Sequence, residues 1–220
     1  MPRDARLTKE RLLSAGARLF AADGVDGART RDIVKRAGQA NDSAITYHFG
    51  SRQGLLAAIL LAGVHRMEPA RATALDELDP SDLRSVVAAV VEPVAEELKT
   101  EEGRDFLRIV AQVSGQAGIR SHRVPPLLEG TALARQLELL EACCRASLPE
   151  ALALERISVV IAFLTAALAD RAERADSLLD HDTFVADLVQ MLTAALAAPS
   201  LPKVRPPHRV KTSPRGGAVR

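Results

Sequence analysis

Between residues 37 and 55 the chain reads AGQANDSAITYHFGSRQGL. The stretch gathers hydroxyls at Ser43, Thr46 and Tyr47, an amide at Asn41, an imidazole at His48 and a small residue, Ala44, that permits close approach. Hydroxyls and amides suit phosphate oxygens and base edges, and an exposed ring suits a thymine methyl. Asn41 serves as the N-cap of a helix running from about Asp42 to His48, and Ser51 starts another helix directly afterwards. Isolated helices shorter than about 12 to 15 residues are marginal in water, so this one depends on packing through Ile45 and Phe49. Its remaining face is expected to be read by something outside the chain.

Catalytic chemistry finds little support. No glycine-rich phosphate loop, nucleophile elbow or zinc-spaced His/Cys cluster occurs; the five histidines are scattered. Cys143 and Cys144 are adjacent in a helix-like run, about 100° apart around the axis and poorly placed to bridge each other. No cofactor or metal is implied. Helix-forming Ala and Leu dominate the 47 % hydrophobic content while aromatics make up 3 %, which predicts an all-α protein. The most apolar run, residues 157 to 169, reads as too short to span a bilayer, and the N-terminus lacks a signal-like apolar run. A cytoplasmic protein with no membrane partner is expected.

Charge is distributed unevenly. Residues 1–52 carry a net +4, residues 53–198 a net −9, and residues 199–220 a net +6. A basic head on an acidic body points to a polyanionic partner for the head.

About nine helices are expected. Thr8 is read as the N-cap of the first, with Leu12, Ala15, Leu19 and Phe20 on one stripe and Gly24 closing it. Thr30 caps a short second helix that ends at Gly38; the reading helix follows, and Ser51 caps a long fourth. Helix, turn and short helix form a helix-turn-helix, whose second helix enters the major groove. Further periodic segments run over 82–99, 101–117, 125–148, 150–176 and 182–198. Pro93 is expected to bend or break the first of these. The proline-rich basic tail lacks apolar periodicity and reads as disordered. The implied division is a head over 1–52, a helical body over 53–198 and a tail over 199–220.

From RLLSAGARLFAADGVDGARTRDIVKRAG through YHFGSRQGLL the sequence resembles the N-terminal domain of the TetR family of bacterial transcriptional regulators. The resemblance rests on Leu19-Phe20 before Gly24, Thr30, Ala37-Gly38, Tyr47-His48-Phe49, and Ser51-Arg52 with Leu55. It implies a homodimer whose heads bind a palindromic double-stranded operator and whose body binds a small-molecule effector that releases DNA, most commonly as a repressor. On this reading Thr30, Tyr47, His48 and Arg52 contact the DNA backbone, Arg29 and Arg31 flank Thr30 at a helix N-terminus, and Asn41, Ser43, Ala44 and Thr46 complete the interface. The turn from Gly38 to Asn41 is one residue longer than the common pattern, and Asp42 brings a carboxylate towards the phosphates.

For the body, the resemblance implies a dimer interface on the last two helices, fitted here by Ile157, Val160, Ile161, Leu164, Leu168, Phe184, Leu188, Met191 and Leu192. An apolar effector site is expected among Leu60, Val64, Met67, Val90, Val94, Phe106, Ile109, Val110, Val113 and Phe163, opened by Pro93, with Gln112, Gln116 and His122 as polar candidates. Two other readings remain: an all-α ligand-binding or interaction scaffold, and a non-specific architectural DNA binder using head and tail charge.

Overall fold

A computed structural model describes residues 3–41, 43–114, 128–174, 176 and 178–200. Among the described residues the chain is all-helical: α1 Arg3–Asp23, α2 Thr30–Arg36, α3 Ser43–Phe49, α4 Arg52–Glu77, α5 Leu83–Ala95, a 3-10 turn Glu96–Lys99, α6 Glu101–Ser114, α7 Ala132–Ser147, α8 Glu150–Glu173 and α9 His181–Ala197. The tail beyond Ser200 lies outside the described residues, as do Gln116 and His122.

Helix α1 begins before the expected cap at Thr8. Nothing between Arg3 and Thr8 breaks a helix, Asp4 favours the positive end of the dipole, and an Arg6–Glu10 pair at 2.9 Å supports the first turns. Leu12, Ala15 and Phe20 are buried as the stripe predicts. They meet Ile33, Val34, Ala37, Ile45, Leu55 and Ile59 in a core of the head. That core also takes Ile109 from α6, fully buried. The head is therefore packed onto the body through α6 as well as through α4.

Inside the body, α5 is buried nearly all round, through Val86, Val87, Ala89, Val90, Val91, Pro93 and Ala95. Apolar residues on every side are the mark of a central helix. Pro93 does not break it there: the helix runs on to Ala95 and then tightens into the 3-10 turn. So close to the C-terminus, a missing N–H costs one bond of the last turns and the tighter turn absorbs the change. Pro69 is similarly carried inside α4.

Helices α4 and α6 approach closely because position 63 has no side chain. A methyl group added to Gly63 would lie 2.2 Å from the buried ring of Phe106. Gly63→Ala gains about 1 kcal/mol of helix propensity, but overpacking against a fixed ring costs about 1–3 kcal/mol. Net destabilisation by about 1 kcal/mol is expected, read as a lower midpoint in urea unfolding at unchanged slope.

Helix α8 is 24 residues long, with a mean hydropathy of 1.9 over its most apolar window, and by length and composition alone could cross a membrane. That revises the expectation from residues 157–169, because the helix extends beyond that run at both ends. Only 22 % of the window is buried in the protomer. One side, with Val160, Leu164 and Leu168, joins the body core; the other is open.

Candidate nucleic-acid interface

The short helix α3 is held by its one buried residue, Ile45, which is 1 % exposed and packs with Ile33, Val34 and Leu12. Ala44 and Phe49 lie partly buried against the same cluster. This anchoring decides what faces out. Ser43, Thr46 and Tyr47 are exposed, and Tyr47 is 80 % exposed although large and aromatic. A ring so placed does nothing for the core, since large aromatics contribute chiefly when buried. His48 is half-buried and meets the Tyr47 ring edge-on at 4.9 Å.

The turn before α3 explains its direction. Gly38 takes φ +69°, which a side chain resists. The Gly38 and Gln39 N–H groups then donate to the carbonyls of Lys35 and Val34, closing α2. Asn41 Oδ1 accepts from the Ser43 N–H at 2.9 Å and so starts α3 as expected. Asn41 is exposed, but its carbonyl oxygen is engaged in this cap. Behind α3, Ser51 Oγ accepts from Gly54 N–H at 2.9 Å and starts α4. Asp42 lies outside the described residues.

At the start of α2 the cap is Arg29 and not Thr30; Thr30 is the first helical residue, half-buried. Arg29 is extended and exposed, with no side-chain bond to the helix. Arg31 is exposed and only loosely paired with Asp32, at 3.9 Å. Both guanidinium groups thus stand at a helix N-terminus, where the backbone already favours an anion.

Arg52 departs from its expected role. Its guanidinium turns inward, donating to the Ala28 carbonyl from Nε at 3.1 Å and from Nη2 at 2.9 Å, and to the Val25 carbonyl. It also lies 4.9 Å from the ring centre of Phe20. These bonds tie the α1–α2 loop to the start of α4 and leave the group poorly placed for a phosphate. Lys9 is the reverse case. It is exposed on α1, with Nζ 5.8 Å from the Phe49 ring centre, beside the end of α3. Forty residues of separation hide this juxtaposition in the sequence.

Head and body are joined by polar contacts across α1 and α6. Gln112, a polar candidate for the effector site, instead accepts from Val25 N–H at 2.7 Å and donates to the Phe20 carbonyl at 3.4 Å. Arg18 pairs with the buried Asp105 at 3.2 Å and with Glu101 at 3.0 Å; Asp105 first, then Glu101, holds the Arg18 guanidinium above its ordinary range.

Most of the expected effector residues are taken up by the protomer's own packing. Met67, Val90 and Phe106 are in the body core, with Leu60, Val94 and Val110 packed against it. Ile109 serves the head core, Val64 is buried, and Val113 is half-buried. Phe163 is 47 % exposed on the outside of α8. Two clefts are found among the described residues, and of the expected residues only Phe106 lines either of them. One, about 610 Å³, is a charged seam between head and body lined by Arg18, Arg36, Arg66, Glu101 and Asp105 among others. The second, about 720 Å³, opens between the C-terminal end of α4 and the start of α7.

The expected dimer residues divide similarly. Val160, Leu164, Leu168, Leu188 and Leu192 are protomer core, and Ile157 and Phe184 pack against it. Ile161 is half-buried and Met191 is 44 % exposed. The open apolar stripe on α8 is formed by Val159, Ala162, Phe163 and Ala166, with Ala186, Met191 and Ala194 exposed on α9. The protomer core claims most of the residues that sequence periodicity selected on these two helices. Both cysteines are free thiols, and burial pushes Cys144 up to about 11.

Residues 12–59 match the family model of bacterial regulatory proteins, tetR family. No curated protein matches the chain. Among solved structures, the chain is similar to the fatty acid degradation regulator FadR from Bacillus halodurans, at 16 % identity over 84 % of this chain and 94 % of that one, with a TM-score of 0.59. It is similar to a TetR-like transcriptional regulator from Rhodococcus sp. RHA1, at 16 % identity over 89 % and 96 % of the two chains, TM-score 0.56. A third similarity is to the TetR family regulator PfmR from Thermus thermophilus, at 21 % identity over 83 % and 97 %, TM-score 0.50. The chain has the fold of a helix-turn-helix regulator with a helical C-terminal domain. The match to that family lies in the head, over residues 12–59.

Proposed function

We propose that the protein is a homodimeric, operator-specific DNA-binding transcriptional regulator, most simply a repressor released from a palindromic site by a small molecule. It works in the cytoplasm and is not an enzyme. The observation that carries the reading is the outward face of α3: a helix of seven residues anchored by Ile45, with Ser43, Thr46 and the 80 % exposed Tyr47 turned to solvent. Docked in a major groove, Ser43, Ala44 and Thr46 meet base edges, while Tyr47, His48, Thr30, Arg29 and Arg31 meet the backbone on either side. Asn41 sets the angle of α3 through its cap. The head extends over residues 1–52, completed by the first turns of α4, and the body over 53–198 carries pairing and effector.

Titration of a selected operator duplex and of a scrambled one, followed by fluorescence anisotropy, tests this assignment. Tyr47→Ala is expected to weaken both duplexes alike, as loss of a backbone contact does, and changes at Ser43 or Thr46 to alter base preference by about 1–3 kcal/mol at the affected position. Equal affinity of the unmodified protein for both duplexes would defeat the operator reading. Deleting residues 200–220 is expected to lower affinity for the two duplexes equally and only at low salt, since the tail's six Lys and Arg act on phosphates alone. A loss confined to the operator would show that the tail reads sequence or supports pairing.

A further inference from the structure

Arg71, on α4 in the body, is 2 % exposed. Among the described residues no carboxylate stands within ion-pair distance of it. Nη1 donates to the Val90 carbonyl at 3.2 Å and to Gln136 Oε1 at 2.6 Å. Nη2 meets only Met67 Sδ, at 3.9 Å, and buried Nε has no partner. Gln136, itself fully buried, returns a bond from Nε2 to the Arg71 carbonyl at 3.3 Å, which fixes the guanidinium in place. Glu97, a buried carboxylate of the body, is already held by Arg66 at 2.5 to 3.1 Å. Burial lowers Arg71 to about 10 against the pull of Glu68 and Glu97, so it is still a cation at neutral pH.

One turn earlier on the same helix stands the opposite deficit. Glu68 Oε1 accepts from the Ala132 N–H at 2.5 Å, while Glu68 Oε2 is buried without a donor. Residues three apart on a helix are neighbours, with Cβ atoms about 5–6 Å apart. A buried N–H donor lacking an acceptor thus adjoins a buried carboxylate oxygen lacking a donor, and each such deficit is costly and rare. The cleft of about 720 Å³ lies next to the pair, with neither residue in its wall: Leu75, one turn beyond Arg71, Ala132, whose N–H holds Glu68, and Ala134, two residues before Gln136, line it with Leu78 and Leu139 and the charged Asp76, Arg135 and Glu138.

We infer that Arg71 and Glu68 are the polar anchors of an effector site that takes a small organic acid with an aliphatic body and a hydroxyl or amino group beside its carboxylate. Arg71 Nε and Nη2 donate to the ligand carboxylate, and Glu68 Oε2 accepts from its hydroxyl or ammonium. The aliphatic part lies towards Leu75, Leu78 and Leu139. Among the described residues neither Arg71 Nε nor Glu68 Oε2 has a hydrogen-bond partner. The assignment rests on the reading of the body as effector-binding, and moves that site from the expected apolar cluster to the α4–α7 seam.

The test uses the full chain, a series of α-hydroxy acids of increasing alkyl length as probes, and the corresponding vicinal diols, which lack the carboxylate. At about a hundred times the dissociation constant a bound acid is expected to raise the melting temperature by about 5–10 °C, the matched diol far less. Arg71→Met, which keeps volume and removes the charge, is expected to abolish the difference between acid and diol, and Glu68→Gln to weaken the hydroxy acid more than the simple fatty acid of equal length. Equal shifts by acid and diol in the unmodified protein, no shift by any acid, or an Arg71→Met protein that still prefers the acid would overturn the inference. Should Arg71→Met fail to fold, the acid-against-diol comparison on the unmodified chain decides alone. A small molecule that releases DNA without needing Arg71 would overturn this site while leaving the effector reading intact; acids that bind through Arg71 yet leave the operator complex unchanged would establish the site and contradict the effector reading.

Discussion

Glutamate at both Val159 and Phe163 is expected to convert the protein to monomers and to weaken operator binding by roughly 10²- to 10⁴-fold, the range lost when two linked binding units are separated. The two side chains are 66 % and 47 % exposed on α8, so charging them leaves the protomer's own packing alone. They lie on the open stripe of a helix whose apolar window is only 22 % buried. Covering such a stripe is what the proposed pairing supplies, and two carboxylates brought against their symmetry mates without partners oppose it. Sedimentation at micromolar concentration reads the state, and circular dichroism confirms that the protomer is intact. A folded double variant that stays dimeric would place the interface elsewhere. Charges at Val160 or Leu188, the positions that sequence periodicity favours, answer a different question: at 7 % and 1 % exposure they test the protomer core and are expected to unfold it.

Arg52→Ala is expected to destabilise the protein by about 2–3 kcal/mol, through loss of charge-assisted bonds to the Ala28 and Val25 carbonyls and of the stacking over Phe20. For a chain of this size that is a fall in melting temperature of about 4–12 °C. The salt dependence of DNA affinity separates this role from the one suggested by position alone. A phosphate ligand would lower the slope by about one when removed, whereas a brace inside the head leaves the slope unchanged. Arg52→Lys is expected to recover little, because a point charge cannot serve two carbonyls and a ring face together. A variant with unchanged melting temperature and a reduced slope would return Arg52 to the DNA.

The contrast between Tyr47 and Arg52 marks how far the sequence was legible. Helix type, helix count and the head's stripe followed from local signals: Gly24 and Gly38 at positive φ, Asn41 and Ser51 as caps, and Leu12, Ala15 and Phe20 at helical spacing. Such features depend on neighbours three or four residues away. Tyr47 could be core or contact by pattern, and its exposure is decided by Ile45 occupying the only buried position on α3. Arg52 bonds to carbonyls 24 and 27 residues away, and Gln112 to a backbone 87 residues away. Nothing in either residue's local pattern carries that information. The same limit explains the body. Periodicity finds an apolar face but cannot say whether the protomer or a partner covers it, and both α8 and α9 carry one face packed in the protomer and one face exposed. The Arg71–Glu68 pair stayed hidden because an (i, i+3) acid and base ordinarily read as a solvated surface pair.

The most direct test of the account is a footprint of the full-length protein on DNA selected from a random pool. Two equally protected half-sites related by a palindrome, their centres about 34–36 Å apart or a multiple of that distance, are the predicted result. Continuous protection that ignores sequence, or no protection at any salt concentration, would contradict it.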